Sequence, residues 1–173
     1  MKVKLKDKIF TYRFATEKDI DIINKFDINI YRQVNHDFYF RHTKEILKNM
    51  ISKDRKIMLV FFDKQLVAWA GIKIKAEPFY AKIYNFTEKQ LSKSSVLIAT
   101  AVSPKFRGYG IQKFLIKKRI EYLKKKGKKY FLHSAHPENK YSINNMLESG
   151  SKFIKKDKSI NDGRIVNYYL LKI

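Results

Sequence analysis

An apolar strand, a glycine-containing turn and a helix follow one another in the middle of the chain, and this succession limits the possible folds most strongly. The segment Val96–Val102 is apolar without alternation, which predicts a strand buried on both faces. The turn Arg107-Gly108-Tyr109-Gly110 then leads into a segment whose apolar residues recur at helical spacing. A strand that is covered on both faces needs helices on both sides, as in α/β folds.

The rest of the chain also alternates between strand and helix patterns. Predicted strands cover Ile9–Phe14, Ile57–Phe62, Leu66–Ile74, Tyr130–Ala135, Ser151–Lys155 and Arg164–Leu171. Predicted helices begin after Thr16 and at Ile111, and cover Thr43–Lys53 and Asn139–Leu147. The segment Glu77–Ser95 is irregular and holds at most a short helix at Thr87–Leu91. The order β-α-α-β-β-β-α-β-α-β-β indicates an α/β fold with a mixed sheet.

Length and composition exclude several classes of protein. The 173 residues suit a single domain, residues 1–173. The chain has no cysteine, which excludes disulfide frameworks, cysteine-ligated zinc and thiol nucleophiles, and no metal site is predicted. No apolar run approaches the roughly 20 residues of a membrane span. The start, MKVKLKDKIF, lacks the apolar stretch of a signal peptide, so we predict a cytoplasmic protein.

The net charge of +22 suggests a nucleic-acid ligand at first sight. However, 31 of the 38 basic residues are lysine and only 7 are arginine. Arginine is suited to bidentate phosphate and base contacts, whereas lysine is a hydrated point charge. We therefore favour a solvated cationic surface over a nucleic-acid groove. The positive field should still attract small anions, including phosphorylated cofactors.

The turn before the helix at Ile111 has the features of an anion site built from backbone. The N–H groups of a first helical turn point outward, and the helix dipole favours negative charge there. Gly108 and Gly110 remove the Cβ atoms that keep a pyrophosphate away from these groups. Pro104 ends the preceding strand and exposes its edge to an amide-bearing ligand. Phosphates and amides occur together in coenzyme A.

Two stretches resemble a known family. The segment Val102-Ser103-Pro104-x-x-Arg107-Gly108-x-Gly110-Ile111, followed by Leu115, resembles the acyl-CoA-binding segment of the GNAT superfamily of N-acetyltransferases. The stretch His136-Pro137-Glu138-Asn139-x-x-Ser142, with Gly150 and Phe153, resembles the next segment of that family. The resemblance covers about residues 10–173. It implies a mostly antiparallel central sheet of about six or seven strands with a splayed central pair, flanked by about four helices.

The resemblance also implies roles for individual residues. Backbone groups of Ala101 and Val102 would pair with the pantetheine arm, and Asn139 and Ser142 would flank its far side. The turn that would bind the pyrophosphate comprises Arg107, Gly108, Tyr109, Gly110, Ile111, Gln112 and Lys113. The implied activity is transfer of an acetyl group from acetyl-CoA to a primary amine of a small molecule or peptide. The amine would attack the thioester directly, without an acyl-enzyme.

Two positions depart from the family pattern. Gln112 stands where the family has a small residue, which narrows the cleft. Met146 stands where many members have a tyrosine that protonates the departing thiolate, and a thioether cannot donate a proton. Tyr141 and His133 are the remaining side-chain candidates for proton transfer; alternatively water supplies the proton, or the thiolate leaves unassisted. The alternative function is a catalytically degenerate domain that binds acetyl-CoA as a sensor or interaction module.

The acceptor ammonium must lose a proton before it attacks, so the site needs a base. The candidate bases are His133, His136, Glu77 and Asp37, although a lone histidine in an apolar strand is more often a core residue. In the family arrangement the first two helices border the acceptor cleft, so Asp27 and Asp37 are predicted to hold a cationic amine. Monomer and dimer both stay open.

Overall fold

The computed structural model describes residues 1–160 and 162–173, which form two compact units. The first unit is Met1–Ile72 with Ile98–Leu115, and the second is Lys73–Leu97 with Ile116–Ile173. The described residues contain nine strands and six helices, which exceeds both predicted counts. The mixed α/β class is confirmed. No helix in these two ranges is long and apolar enough to cross a membrane.

The element bounds mostly follow the predicted ones. The strands are β1 (Lys2–Leu5), β2 (Lys8–Phe14), β3 (Arg55–Phe62), β4 (Gln65–Lys73), β5 (Ser94–Val96), β6 (Thr100–Val102), β7 (Tyr130–Ala135), β8 (Lys152–Lys158) and β9 (Ile165–Lys172). The helices are α1 (Ile20–Tyr31), α2 (Lys44–Asn49), α3 (Phe79–Tyr84), α4 (Glu88–Ser92), α5 (Ile111–Lys124) and α6 (Lys140–Glu148). Sequence patterns did not predict β1 or α3.

Strands of the first unit pair in an antiparallel manner. β2 pairs with β1 on one side and with β3 on the other. β3 and β4 form the predicted hairpin through Asp63 and Lys64, whose φ angles of 45° and 65° fit a tight turn. β4 also pairs with β6, where Trp69 lies opposite Ala101.

Helices cover both faces of β4, which explains why this strand is apolar without alternation. Trp69 and Ala101 point to one face and share a buried cluster with Leu47 of α2. Ala68 points to the other face and shares a buried cluster with Leu115 of α5. Trp69 is a core residue, because its side chain is fully buried.

A capping box of Thr16 and Asp19 closes the 3-10 turn Glu17–Asp19, which leads directly into α1. The Asp19 carboxylate accepts the Thr16 backbone N–H at 2.8 Å and a bidentate pair of bonds from Arg13 at 2.6 and 2.7 Å. The Arg13 hydrogen bonds, with those from Thr16, hold the pKa of Asp19 well below its usual value despite partial burial. This cap sets where α1 starts.

The single strand predicted at Val96–Val102 is wrong, because a bulge divides it into β5 and β6. The carbonyls of Ile98 and Ala99 both accept the N–H of Gly71, at 3.2 and 3.0 Å. Ala99 has a φ of 21°, which an extended residue does not adopt. A bulge of this kind bends a strand and changes its partner.

Strands of the second unit include a parallel pair. β5 and β7 pair in parallel at three positions, from Ser94–Tyr130 to Val96–Leu132. The pairing ends where the Leu97 N–H donates to the Leu132 carbonyl at 2.9 Å, in agreement with the predicted splayed pair. β9 then pairs in an antiparallel manner with both β7 and β8.

Candidate active site

The turn that precedes α5 holds two glycines in conformations that other residues rarely adopt. Gly108 has a φ of 82° and Gly110 a φ of 78°. A Cβ atom built on either glycine meets no heavy atom within 4 Å. Open space therefore lies above the backbone of this turn, next to the start of a 14-residue helix.

Four consecutive backbone N–H groups of this turn are available to a ligand. In residues 1–160 and 162–173, the N–H groups of Gly108, Tyr109, Gly110 and Ile111 have no hydrogen-bond acceptor. The N–H of Arg107 donates to the Pro104 carbonyl at 3.2 Å and is therefore engaged. Free N–H groups at a helix start, with the positive end of the helix dipole, favour an anion.

Aromatic side chains pack this turn against β2 and β3. The Tyr109 ring lies 6.0 Å from the ring of Phe10, and the Phe106 ring lies 5.4 Å from that of Phe62. The ammonium of Lys8 lies over the Tyr109 ring, 5.6 Å from its centroid. The turn is thus held by ring packing that leaves its backbone exposed, and a cation lies beside it.

The register of β6 separates the two residues predicted to pair with pantetheine. Ser103 donates to the Val67 carbonyl, and Gly71 donates to the Ala99 carbonyl. Antiparallel pairs alternate, so the Ala101 backbone groups face Trp69 of β4. The Ala101 backbone is thus paired within the sheet, and its role toward pantetheine stays a prediction. The N–H and C=O groups of Val102 point to the opposite edge of β6.

The predicted residues after Ile111 lie on the first turn of α5. Gln112 is half-buried and Lys113 is exposed, and both make further interactions with the protein. Lys113 keeps its charge at the surface, near the N-terminus of the helix.

Asn139 and Ser142 lie at the start of α6 in the second unit. The Asn139 side chain accepts the Ser142 backbone N–H at 3.1 Å, so Asn139 is the N-cap of this helix. The sequence prediction that an asparagine opens this helix is confirmed. Their roles toward a coenzyme stay predictions.

His133 lies in the middle of β7 and is buried. Burial, together with the nearby Arg119 guanidinium, lowers the pKa of His133 to about 3. The ring nitrogen Nε2 lies 3.4 Å from the Ser151 hydroxyl, and the backbone carbonyl accepts a hydrogen bond from Tyr84. A neutral, enclosed imidazole has the properties of a core residue, and the catalytic role of His133 stays a prediction.

Tyr141 and Met146 lie on different sides of α6. Tyr141 is 83% exposed, so its hydroxyl reaches solvent. Met146 is buried and packs with Ala135 and Tyr169. The side chain at the position of the family tyrosine is therefore part of the apolar core.

The other candidate bases have local partners. Glu77 forms an ion pair with Lys73. The His136 Nδ1 atom accepts the Glu138 backbone N–H at 3.3 Å, which orders the turn before α6. Asp37 is exposed, and its backbone N–H donates to the Asn35 side chain at 2.9 Å.

A buried polar cluster that sequence patterns did not single out lies between α1, α2 and β4. Asp27 is fully buried, and its carboxylate accepts the Tyr39 hydroxyl and, at 2.7 Å, the His42 backbone N–H. Burial, and then the Asp27 charge, raise the pKa of Tyr39 far above its usual value. Because the Asp27 carboxylate is enclosed, it cannot touch an acceptor amine, contrary to expectation.

The His42 imidazole belongs to the same cluster. Its Nδ1 atom is enclosed and lies 3.4 Å from the Asp27 carboxylate. The ring packs edge-to-face on Trp69, with 4.9 Å between the ring centroids. One tenth of the side chain stays exposed, and the Nδ1 atom is not part of this exposed surface.

Fold and turn together define an α/β protein with free backbone donors at a helix start. The family model described as "Acetyltransferase (GNAT) family" matches residues 23–150. The chain therefore belongs to the GNAT acetyltransferase family, whose acetyl donor is acetyl-CoA. A search of curated proteins gives no match.

Several solved structures share this fold. A GNAT acetyltransferase from Listeria monocytogenes superposes with a TM-score of 0.77 at 15% identity, over 100% of both chains. The GNAT domain of S. lividans PAT gives 0.75 at 16% identity, over 100% of this chain and 96% of that one. Salmonella typhimurium yncA, solved with its cofactor acetyl-CoA, gives 0.70 at 12%, over 94% and 93%. Identities this low establish the fold alone.

Proposed function

We propose that this protein transfers the acetyl group of acetyl-CoA to the primary amine of a small molecule or peptide. Membership of the acetyltransferase family supports the transfer. The observation that carries the proposal is the run of four acceptor-free N–H groups from Gly108 to Ile111 at the start of α5. These groups fit a pyrophosphate, since phosphates bind where backbone donors meet the positive end of a helix dipole.

The residues of the first unit divide the binding task between them. The N–H groups of Gly108 through Ile111 bind the pyrophosphate, and Lys113 and Lys8 add positive charge around the turn. The backbone edge of Val102 pairs with the amides of the pantetheine arm, in the way that a neighbouring strand pairs. Acetyl-CoA supplies an acyl carbon on a thiol leaving group, whose ordinary pKa is about 8.5.

A thiol-release assay tests the proposal directly. The chain has no cysteine, so a thiol reagent reports released CoA without background from the protein. We expect acetyl-CoA to raise the melting temperature, and at least one amine of a panel to release CoA and gain the mass of an acetyl group. The panel comprises alkyl amines, aromatic amines and peptides with free N-termini. Absence of any thermal shift would overturn the binding site.

One observation favours a second function, the binding of acetyl-CoA without turnover. Met146 occupies the position of the family tyrosine and is enclosed with Ala135 and Tyr169, so this position gives no proton. Under this alternative, acetyl-CoA stabilises the protein, but no amine releases CoA. The same two measurements therefore separate an enzyme from a sensor.

A further inference from the structure

We propose that His42 is the general base that deprotonates the acceptor amine, and that Asp27 is the residue that positions it. This inference rests on the proposed acetyl transfer. It assigns the base to a side chain on the segment between α1 and α2, instead of to any of the residues predicted from sequence.

The Asp27 carboxylate and the His42 imidazole face each other. The Asp27 carboxylate faces Nδ1 of His42 at 3.4 Å, and the same carboxylate holds the His42 backbone N–H at 2.7 Å. A carboxylate that faces Nδ1 favours the tautomer with its proton on Nδ1, which leaves the lone pair of Nε2 as the base. Catalytic hydrogen bonds are often long without substrate and tighten when the substrate binds.

The side chains of these candidates differ in their exposure to solvent. His133 is enclosed in β7, and the Asp27 carboxylate has no exposed surface. His42 is also buried, but a tenth of its side chain reaches solvent, and the enclosed Nδ1 atom is not part of that exposed surface. An imidazole that is enclosed at Nδ1 and keeps some surface exposed can take a proton from an amine that reaches this surface.

The cluster of Asp27 and His42 packs against the β4–β6 pair in the first unit. His42 packs on Trp69, and Trp69 lies opposite Ala101 in the β4–β6 pair. The next residue of β6, Val102, carries the backbone edge that we assign to the pantetheine arm. The imidazole thus lies on the strand pair that would carry the acetyl donor.

The proton balance of the step is complete. The acceptor ammonium gives one proton to Nε2 of His42, and the imidazolium forms beside the Asp27 carboxylate. The neutral amine nitrogen bonds to the acetyl carbon, the carbon–sulfur bond breaks, and the second nitrogen-bound proton leaves with the sulfur as the thiol. His42 then returns its proton to solvent, so the products are the acetamide, CoA and one proton.

Two titratable groups contact the His42 side chain among the described residues, Asp27 from α1 and Tyr39 from the same segment. The aromatic rings of Phe40 and Trp69 complete its surroundings. A histidine base works only when it is neutral.

The test compares wild type with His42→Gln, Asp27→Asn and the control His36→Gln, a histidine that is exposed on the same segment. We expect His42→Gln to lower kcat/KM for the amine about 10²- to 10⁴-fold. His36→Gln should match wild type. Acetyl-CoA affinity should be unchanged in all variants, which separates a failure of this inference from a failure of the proposed binding site.

Long-range ¹H–¹⁵N NMR of the ring nitrogens gives a readout that needs no acceptor. We expect the neutral His42 ring to carry its proton on Nδ1 in wild type, and Asp27→Asn to shift the proton toward Nε2 because a carboxamide N–H can donate to Nδ1. A wild-type ring protonated on Nε2 would overturn the inference. Full turnover by His42→Gln would also overturn it. The inference fails as well if the protein binds acetyl-CoA but no amine releases CoA.

Discussion

Replacing Gly110 by valine tests the pyrophosphate site most sharply. Gly110 has a φ of 78°, and a Cβ built on it meets no protein atom within 4 Å. The valine side chain therefore fills the space above the free N–H groups without a clash inside the protein. If it blocks two of the four N–H groups, and each charge-assisted bond contributes at least about 1.5 kcal/mol, the loss is about 3 kcal/mol. This corresponds to a roughly 100-fold weaker Kd for acetyl-CoA.

A matched control separates this effect from backbone strain. Gly127 follows α5 with a φ of 74° and equally open space around its Cβ. Valine at either position adopts a left-handed conformation that costs roughly 1–2 kcal/mol of folding stability. Gly110→Val and Gly127→Val should therefore melt at similar temperatures, below that of wild type.

Isothermal titration with acetyl-CoA, below the melting range of both variants, gives the two affinities. We expect Gly127→Val to bind as wild type does and Gly110→Val to bind at least 100-fold more weakly, by the estimate above. Equal affinities for the two variants would refute the placement of the pyrophosphate on the turn before α5.

Three further outcomes follow from the geometry. Met146→Leu should change stability by less than about 1.5 kcal/mol and leave turnover unchanged, because the position only packs; a large drop in rate with intact folding would contradict this. The pKa of His133 is about 3 in the folded protein, so as pH falls the imidazole is protonated in the unfolded chain before it is protonated in the folded one. The free energy of unfolding therefore falls as pH falls below about 6.5. Urea unfolding should show wild type losing about 2 kcal/mol more than His133→Gln between pH 7 and 5, and parallel losses would refute it. Raising salt from about 50 to 200 mM should weaken acetyl-CoA binding less than tenfold, since a nucleic-acid groove loses about 10³-fold or more.

Sequence patterns predicted most of the fold because its core elements carry strong periodicity. The capping box at Asp19 and the helix cap at Asn139 lie where their spacing indicated. The bulge at Ile98 and Ala99 was missed, because both residues are apolar and continue the pattern of a buried strand. Only the competition of their carbonyls for the Gly71 N–H reveals the break.

The candidate site was predictable where it depends on local sequence and hidden where it depends on packing. The glycine turn at Gly108 and Gly110 has a local signal, because only certain residues adopt its conformation. The pairing of Asp27 with His42 has none, since 15 residues separate the two. His133 had the stronger sequence signal, within an apolar strand, and its burial makes it a core residue.

The two proton transfers of this reaction do not make equal demands on the protein. An amine with a pKa near 10.4 needs about 4.6 kcal/mol to be neutral at pH 7, whereas a thiol of pKa about 8.5 needs about 2 kcal/mol to leave as a thiolate. A base therefore assists more than an acid does. The chain has the same asymmetry. His42 supplies an imidazole whose side chain is one-tenth exposed, whereas Met146 places a thioether in the position of the family's proton donor. A buried carboxylate such as Asp27 is weak support for stability, and orienting the base gives it a role that packing alone does not.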